Sequence, residues 1–186
     1  MSSIAKNRLA FIDTETTGLD VERHEIIQIG GVVVEPKTNP DGSVAYDIVE
    51  EFEIKVKPEH IETAEKVALR VNGYDEAEWV FAFTLKEAMT SFAEKTKDAI
   101  MVGHNLAFDF AFLMRAFSVT GVENKMHYHK LDTISIAFAK SKKREDIDKF
   151  SLYYLCQIFG IENKRAHTAL ADARATFELY KKLIAL

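Results

Sequence analysis

A single cysteine, no excess of basic charge and no long apolar run set the first limits on this 186-residue chain. Cys156 alone closes no intrachain disulfide and has no partner for a cysteine-based zinc site, which fits a reducing, cytoplasmic setting. No apolar stretch approaches the roughly 18 residues of a membrane span. The first one ends at Asp13, so no secretory leader is expected. The net charge is −5, with 24 Lys and Arg against 29 Asp and Glu. That excludes a protein that grips nucleic acid by bulk electrostatics, so any such contact must be local or made through bound metal. Repeats, low-complexity segments and linkers are missing too. What is there is an ordinary globular composition, 47% apolar and 28% charged, expected to form one domain over residues 1–186.

The apolar pattern predicts strands first and then an alternation of strands and helices. Leu9 to Ile12 reads as a buried strand, and Ile26 to Val34 as a second, central one in which Gly30 and Gly31 mark a bulge or a close backbone approach. The Asn39–Gly42 cluster is a turn, and Phe52, Ile54 and Val56 alternate with charged residues in a third, antiparallel strand. Ile61, Ala64, Ala68 and Val71 predict one helix ended by Gly73. Thr84 and Glu87 form a capping box before Leu85, Ala88, Met89, Phe92 and Ala93. Ala99–Val102 is a fourth strand. Asn105 is expected to cap a helix that stops at Gly121, and Tyr128–Leu131 to form a short fifth strand. Asp132 and Ser151 cap two further helices, and Leu170, Ala173, Phe177, Tyr180 and Ile184 stripe the last. Phe81 and Phe83, in a segment with no assigned element, are expected to pack in the core, with stacking on nucleic-acid bases as the alternative. The order implies an α/β domain, a mixed sheet flanked by helices.

Asp13 and Glu15 stand at alternate positions at the end of the first strand, so they share one face. Neighbouring carboxylates repel and are costly to desolvate unless a cation lies between them, and oxygen ligands suit Mg²⁺ or Mn²⁺. Asp109 and Asp172 each open a helix, and His167 precedes Asp172 by five residues. Each has a plainer reading when taken singly: solvated acids, acids favouring a helix dipole, a surface imidazole in a loop. Together, four carboxylates at one edge of a sheet beside a histidine suit two divalent ions that activate water and clamp a phosphoryl displacement. The imidazole can accept the water's proton.

Three stretches carry a resemblance. They are Asp13-Thr14-Glu15-Thr16-Thr17-Gly18, His104-Asn105-x-x-Phe108-Asp109 and His167-x-Ala169-x-x-Asp172-Ala173. In order and spacing they resemble the three motifs of the DEDD superfamily of 3′→5′ exonucleases, histidine subtype, and the likeness runs from about Leu9 to Leu183. The resemblance implies a ribonuclease H-like mixed five-stranded sheet flanked by helices. It implies that Asp13, Glu15, Asp109, His167 and Asp172 are catalytic, with the four acids holding two divalent ions, Mg²⁺ or Mn²⁺. His167 is then the general base, the backbone at Thr16 and Thr17 receives a terminal 3′-hydroxyl, Leu19 packs near the last base, and Asn105 and Phe108 shape the pocket. The implied substrate is a single-stranded DNA or RNA 3′ end, cut to nucleoside 5′-monophosphates. A DNA polymerase is the partner in one branch of the family. The chain stops at its last helix, so a stand-alone enzyme is the expectation, with an accessory proofreading subunit and a silent binding module as rivals. Tyr74 and Leu106 depart from the family pattern, and the larger Leu106 is expected to narrow the site.

Overall fold

In the computed structural model, which describes residues 7–141, 144–163 and 168–186, five strands form one sheet in the order β3-β2-β1-β4-β5. β1 (Leu9–Thr16) lies antiparallel to β2 (Ile26–Thr38), which pairs antiparallel with β3 (Val44–Lys55). On its other side β1 runs parallel to β4 (Ile100–Gly103), and β4 to β5 (Lys130–Asp132). This is the expected mixed sheet, with β1 in the middle.

Strand alternation sorts the core into two layers. Ala10 and Ile12 face α2 (Leu85–Lys95) and α3 (Leu106–Thr120), where Met89, Phe92, Phe112 and Leu113 cover them. Leu9 and Phe11 face α6 (Ala169–Ile184) and meet Ala173, Phe177 and Tyr180. Behind α6 lie α4 (Thr133–Lys140) and α5 (Leu152–Phe159), packed on its Leu179 and Leu183. The last-helix stripe thus holds through Tyr180, but Leu183 rather than the 40% exposed Ile184 is buried.

Several local expectations hold with their chemistry visible. The Thr84–Glu87 capping box is complete, and the side chains of Asp132 and Ser151 accept the backbone N–H groups of Ile134 and Tyr154. Gly30 resolves as a close approach. A Cβ there would lie 2.1 Å from the Ala169 carbonyl carbon, so the start of α6 rests directly on β2.

Four expectations do not hold. The helix drawn over Ile61–Val71 is two pieces, a 3₁₀ turn at Ile61–Thr63 and α1 (Lys66–Val71), because Ala64 between them is extended. Asn105 sits in the left-handed region (φ 62°) and makes no side-chain cap; the Asp132 carboxylate instead accepts Leu106 N–H at 2.9 Å, capping α3 from another strand. Phe81 is 96% exposed and Phe83 half exposed; Trp79 fills the core position, its indole N–H donating to Ile27 O at 3.0 Å. Leu106 is buried in the α2–α3 layer under Gly103 and does not narrow the site.

Replacing Gly30 by alanine forces a methyl group into the α6 backbone, whose atoms have nowhere to give. The expected cost is about 3 kcal/mol, or roughly 6–12 °C in melting temperature for a chain of this size. Thermal denaturation followed by circular dichroism checks it; a drop under 2 °C would mean that the α6 contact is loose.

Candidate active site

The alternation that sorts the core also sorts the acids. Asp13 and Glu15 continue the phase of Leu9 and Phe11 and so emerge on the α6 side, while Thr14 continues the phase of Ala10 and Ile12 and points toward α3. In the sheet Asp13 lies opposite Gly30, the residue on which α6 begins. One turn into that helix stands Asp172. Asp13, Glu15 and Asp172 each offer a carboxylate oxygen, and these oxygens lie within 4.8 Å of one another.

Asp109 comes from the other layer. It is 4% exposed in the first turn of α3, and its Oδ1 accepts the backbone N–H of Thr14 at 2.8 Å and the Thr14 hydroxyl at 2.7 Å. A single β1 residue therefore ties Asp109 to the strand that carries the other two acids. Asp172 is held in turn by Asn163, whose amide donates to its Oδ1 at 2.5 Å.

The electrostatics follow from this crowding. Burial, and then the charges of Asp109, Asp172 and Glu15, hold the Asp13 carboxyl well above the usual carboxylate range. Burial with Asp172 and Asp109 pushes Glu15 up to about 8. Burial raises Asp109 to about 7, against the two Thr14 hydrogen bonds that favour its anion. An all-oxygen cluster whose members cannot ionise together is the donor set that a hard divalent cation satisfies. The residues present therefore fit the metal that the motifs imply.

Glu15 opens onto a cleft of about 300 Å³ whose walls include Thr16, Leu19, Val67, Val71 and Phe108. Leu19 is 76% exposed and Val67 64% exposed, an unusual apolar display beside buried charge. Thr17 lies behind the wall. It is fully buried, donates its N–H to Glu25 O and accepts Glu65 N–H on its carbonyl. Asn105 is exposed at the corner. His104 is held by Thr133 Oγ1 at 2.9 Å and Phe150 O at 2.7 Å, which makes it the brace of the strand-to-helix corner. His167, with Lys142, Lys143, Lys164 and Arg165, falls outside the described residues. Arg144, next to Lys142 and Lys143 in the chain, forms a two-pronged pair with Asp146.

Sequence reasoning passed over three supports. Gln28, 4% exposed, accepts Ala169 N–H at 2.9 Å and so fixes the first turn of the helix that bears Asp172. Its signal was a lone amide in an apolar central strand. Asn72 donates to Thr16 O at 3.0 Å, and Asp132 caps α3 as described.

A mixed sheet with this strand order and an acid cluster at the end of its central strand defines a ribonuclease H-like nuclease domain. The model of the RNase T exonuclease family matches residues 10–180, and the chain belongs to that exonuclease family, within the DEDD superfamily. It is 31% identical over 173 residues to the DNA polymerase III epsilon subunit of Aquifex aeolicus, covering 93% of this chain and 78% of that protein. It is 31% identical over 174 residues to the PolC-type DNA polymerase III of Caldanaerobacter subterraneus subsp. tengcongensis, covering 92% of this chain but only 11% of that polymerase. Among solved structures, exonuclease I of Methylocaldum szegediense superposes with a TM-score of 0.75 at 21% identity, over 96% of this chain and 40% of that one. The zinc-bound E. coli exonuclease I–single-stranded DNA complex gives 0.74 at 18%, over 95% and 40%. These two likenesses establish the fold. Among the described residues no helix is long and apolar enough to cross a membrane.

The raised acids make stability depend on pH in a definite direction. A carboxyl whose folded-state value exceeds its unfolded value stabilises below the unfolded value, near 4, and that stabilisation is lost as pH rises through the folded value. With Asp109 at about 7 and Glu15 at about 8, chelator-treated protein is expected to melt at a lower temperature at pH 8.5 than at pH 5.5. Mn²⁺ or Mg²⁺ should restore more stability at the higher pH, where protons no longer compete for the same oxygens. Thermal melts across that range, with and without metal, read it directly. A metal effect independent of pH would remove the buried acids as ligands.

Proposed function

We propose that this chain is a single-domain, metal-dependent 3′→5′ exonuclease that hydrolyses phosphodiester bonds at single-stranded DNA or RNA 3′ ends and releases nucleoside 5′-monophosphates in the cytoplasm. The observation that carries the reading is the convergence of Asp13, Glu15 and Asp172 within 4.8 Å, with Glu15 lining an open cleft. Asp13, Glu15 and Asp172 would hold one Mg²⁺ or Mn²⁺, and Asp13 with Asp109 a second. Two such ions, when bound, favour ionisation of a water and stabilise charge on the attacking and leaving oxygens.

The chain's own groups do the rest. Leu19, Val67 and Val71 offer apolar surface to the last base, and Phe108 closes that wall. The backbone at Thr16 lies where a terminal 3′-hydroxyl can be received, with Thr17 supporting it from behind. His167 stands two residues before α6 in sequence, close in the chain to Asp172, and is assigned the water's proton. The likeness to the epsilon subunit, which spans 78% of that protein, favours a second role within a polymerase assembly. Co-purification with a polymerase, and feeble activity without it, would shift the reading there.

Purified protein with Mn²⁺ or Mg²⁺ is expected to shorten 3′ ends of matched single-stranded DNA and RNA oligonucleotides to mononucleotides, leaving 5′-labelled ladders. Asp13→Asn and Asp172→Asn should each abolish nearly all turnover while the chelator-treated fold survives. Near-normal turnover in either would sink the metal assignment. His167→Ala should slow cleavage by roughly 10²–10⁴; a loss below tenfold removes it from the role of base.

A further inference from the structure

At the edge of the cleft, which Glu65 itself lines, the loop carrying Leu19 meets the segment that bears α1, and the contact is unfinished. His24 is 3% exposed, and its ring packs so closely on Gly18 that a Cβ there would lie 2.5 Å from it. Its Nδ1 accepts the Asp20 backbone N–H at 2.9 Å. An amide can only donate, so in the neutral ring the proton sits on Nε2. That buried Nε2 has no hydrogen-bond partner among the described residues, although the Glu65 carboxylate lies 3.8 Å away. A buried donor with a carboxylate near it but beyond hydrogen-bond reach is a cost that a small movement removes.

The segment that carries Glu65 is lightly anchored. Among the six α-helices of the described residues, α1 alone buries no side chain. Polar contacts hold it: Glu65 N–H to Thr17 O at 2.8 Å at its start, and the Asn72 amide to Thr16 O at its end. It is bounded by an extended Ala64 and by Gly73 at φ 68°, both places where the backbone direction changes. Its exposed Val67 and Val71 look onto the same cleft as Leu19.

We propose that His24 is a positioning residue for the 3′-terminal nucleotide: its Nε2–H takes the Glu65 carboxylate when the cleft is filled, drawing α1 and the Leu19 loop together around the last base. This rests on the exonuclease reading for the identity of the occupant. Neither His24 nor Glu65 touches the reacting atoms.

The test compares steady-state cleavage of an oligothymidylate by Glu65→Ala, Glu65→Gln, His24→Phe and the His24→Phe/Glu65→Ala pair. Glu65→Ala is expected to raise KM about tenfold and to change kcat by less than about threefold, because the clamp acts on binding rather than on the chemical step. Glu65→Gln keeps an acceptor and should recover most of the loss. The double variant should be no worse than the poorer single one. An unchanged KM in Glu65→Ala, or losses that multiply in the pair, would overturn the clamp. Should His24→Phe fail to fold, the half-exposed Glu65 series decides by itself. Anisotropy of the same labelled oligonucleotide in Ca²⁺ gives a readout without turnover. If wild type binds there but releases no mononucleotide in Mn²⁺ or Mg²⁺, the exonuclease reading fails, and equal Kd values for wild type and Glu65→Ala would separately end the clamp.

Discussion

Mutual repulsion among crowded, at least half-buried carboxylates is the constraint around which the rest of this chain is arranged. Asp13 carries the charges of Asp109, Asp172 and Glu15 as neighbours, inside a protein that removes most of their water. Such a cluster does not hold itself together, so the fold must. β1 supplies Asp13 and Glu15 from the centre of the sheet, where strands on both sides fix its position. The two helices that bring the other acids are each anchored beside the site: α6 by the Gly30 contact and by Gln28, α3 by Asp132 and by Thr14 through Asp109 itself. None of these anchors is an apolar contact alone. Hydrogen bonds fix direction where packing fixes only distance, and a metal site needs both.

The scaffold was readable in the chain because it rests on short-range patterns. The alternation of Leu9 to Glu15, the capping box at Thr84 and the Gly-terminated helices are local signals. The acid cluster was readable for a different reason, since three motifs in order carry what no single one does. What the sequence did not show depends on contacts between distant segments. Asn105 looked like a cap, yet the oxygen that caps Leu106 N–H comes from Asp132, 26 residues beyond that leucine. The spacing of Ile61 to Val71 is helical, yet the demand of Thr17 O for the Glu65 N–H coincides with an extended Ala64 and a broken helix. Trp79 took the core place expected for Phe81 because the indole N–H finds a partner at Ile27 O.

The same contrast separates two mechanical regimes around the cleft. The wall made by β1 and α3 is fixed by buried packing on both faces of the sheet. The opposite wall, α1, is held by polar contacts and presents its valines to solvent. Local opening costs least where little apolar surface is buried. The acids, whose geometry must hold, are thus on the stiff side, and on the proposed reading Val67 and Val71, which would meet a variable base, are on the pliable one.

This division also accounts for an acidic chain acting on a polyanion. Long-range attraction scales with the phosphates contacted, and a net charge of −5 supplies none of it. On the proposed reading only the end of a strand need be held. Apolar contact with the last base then supplies affinity that is indifferent to the protein's overall charge, and bound cations invert the local potential where the scissile phosphate lies. The acids that make the free protein negative at this point are the ones that recruit those cations. On that reading, the feature that repels nucleic acid in the metal-free state is the one that confines productive binding to the metal-loaded state.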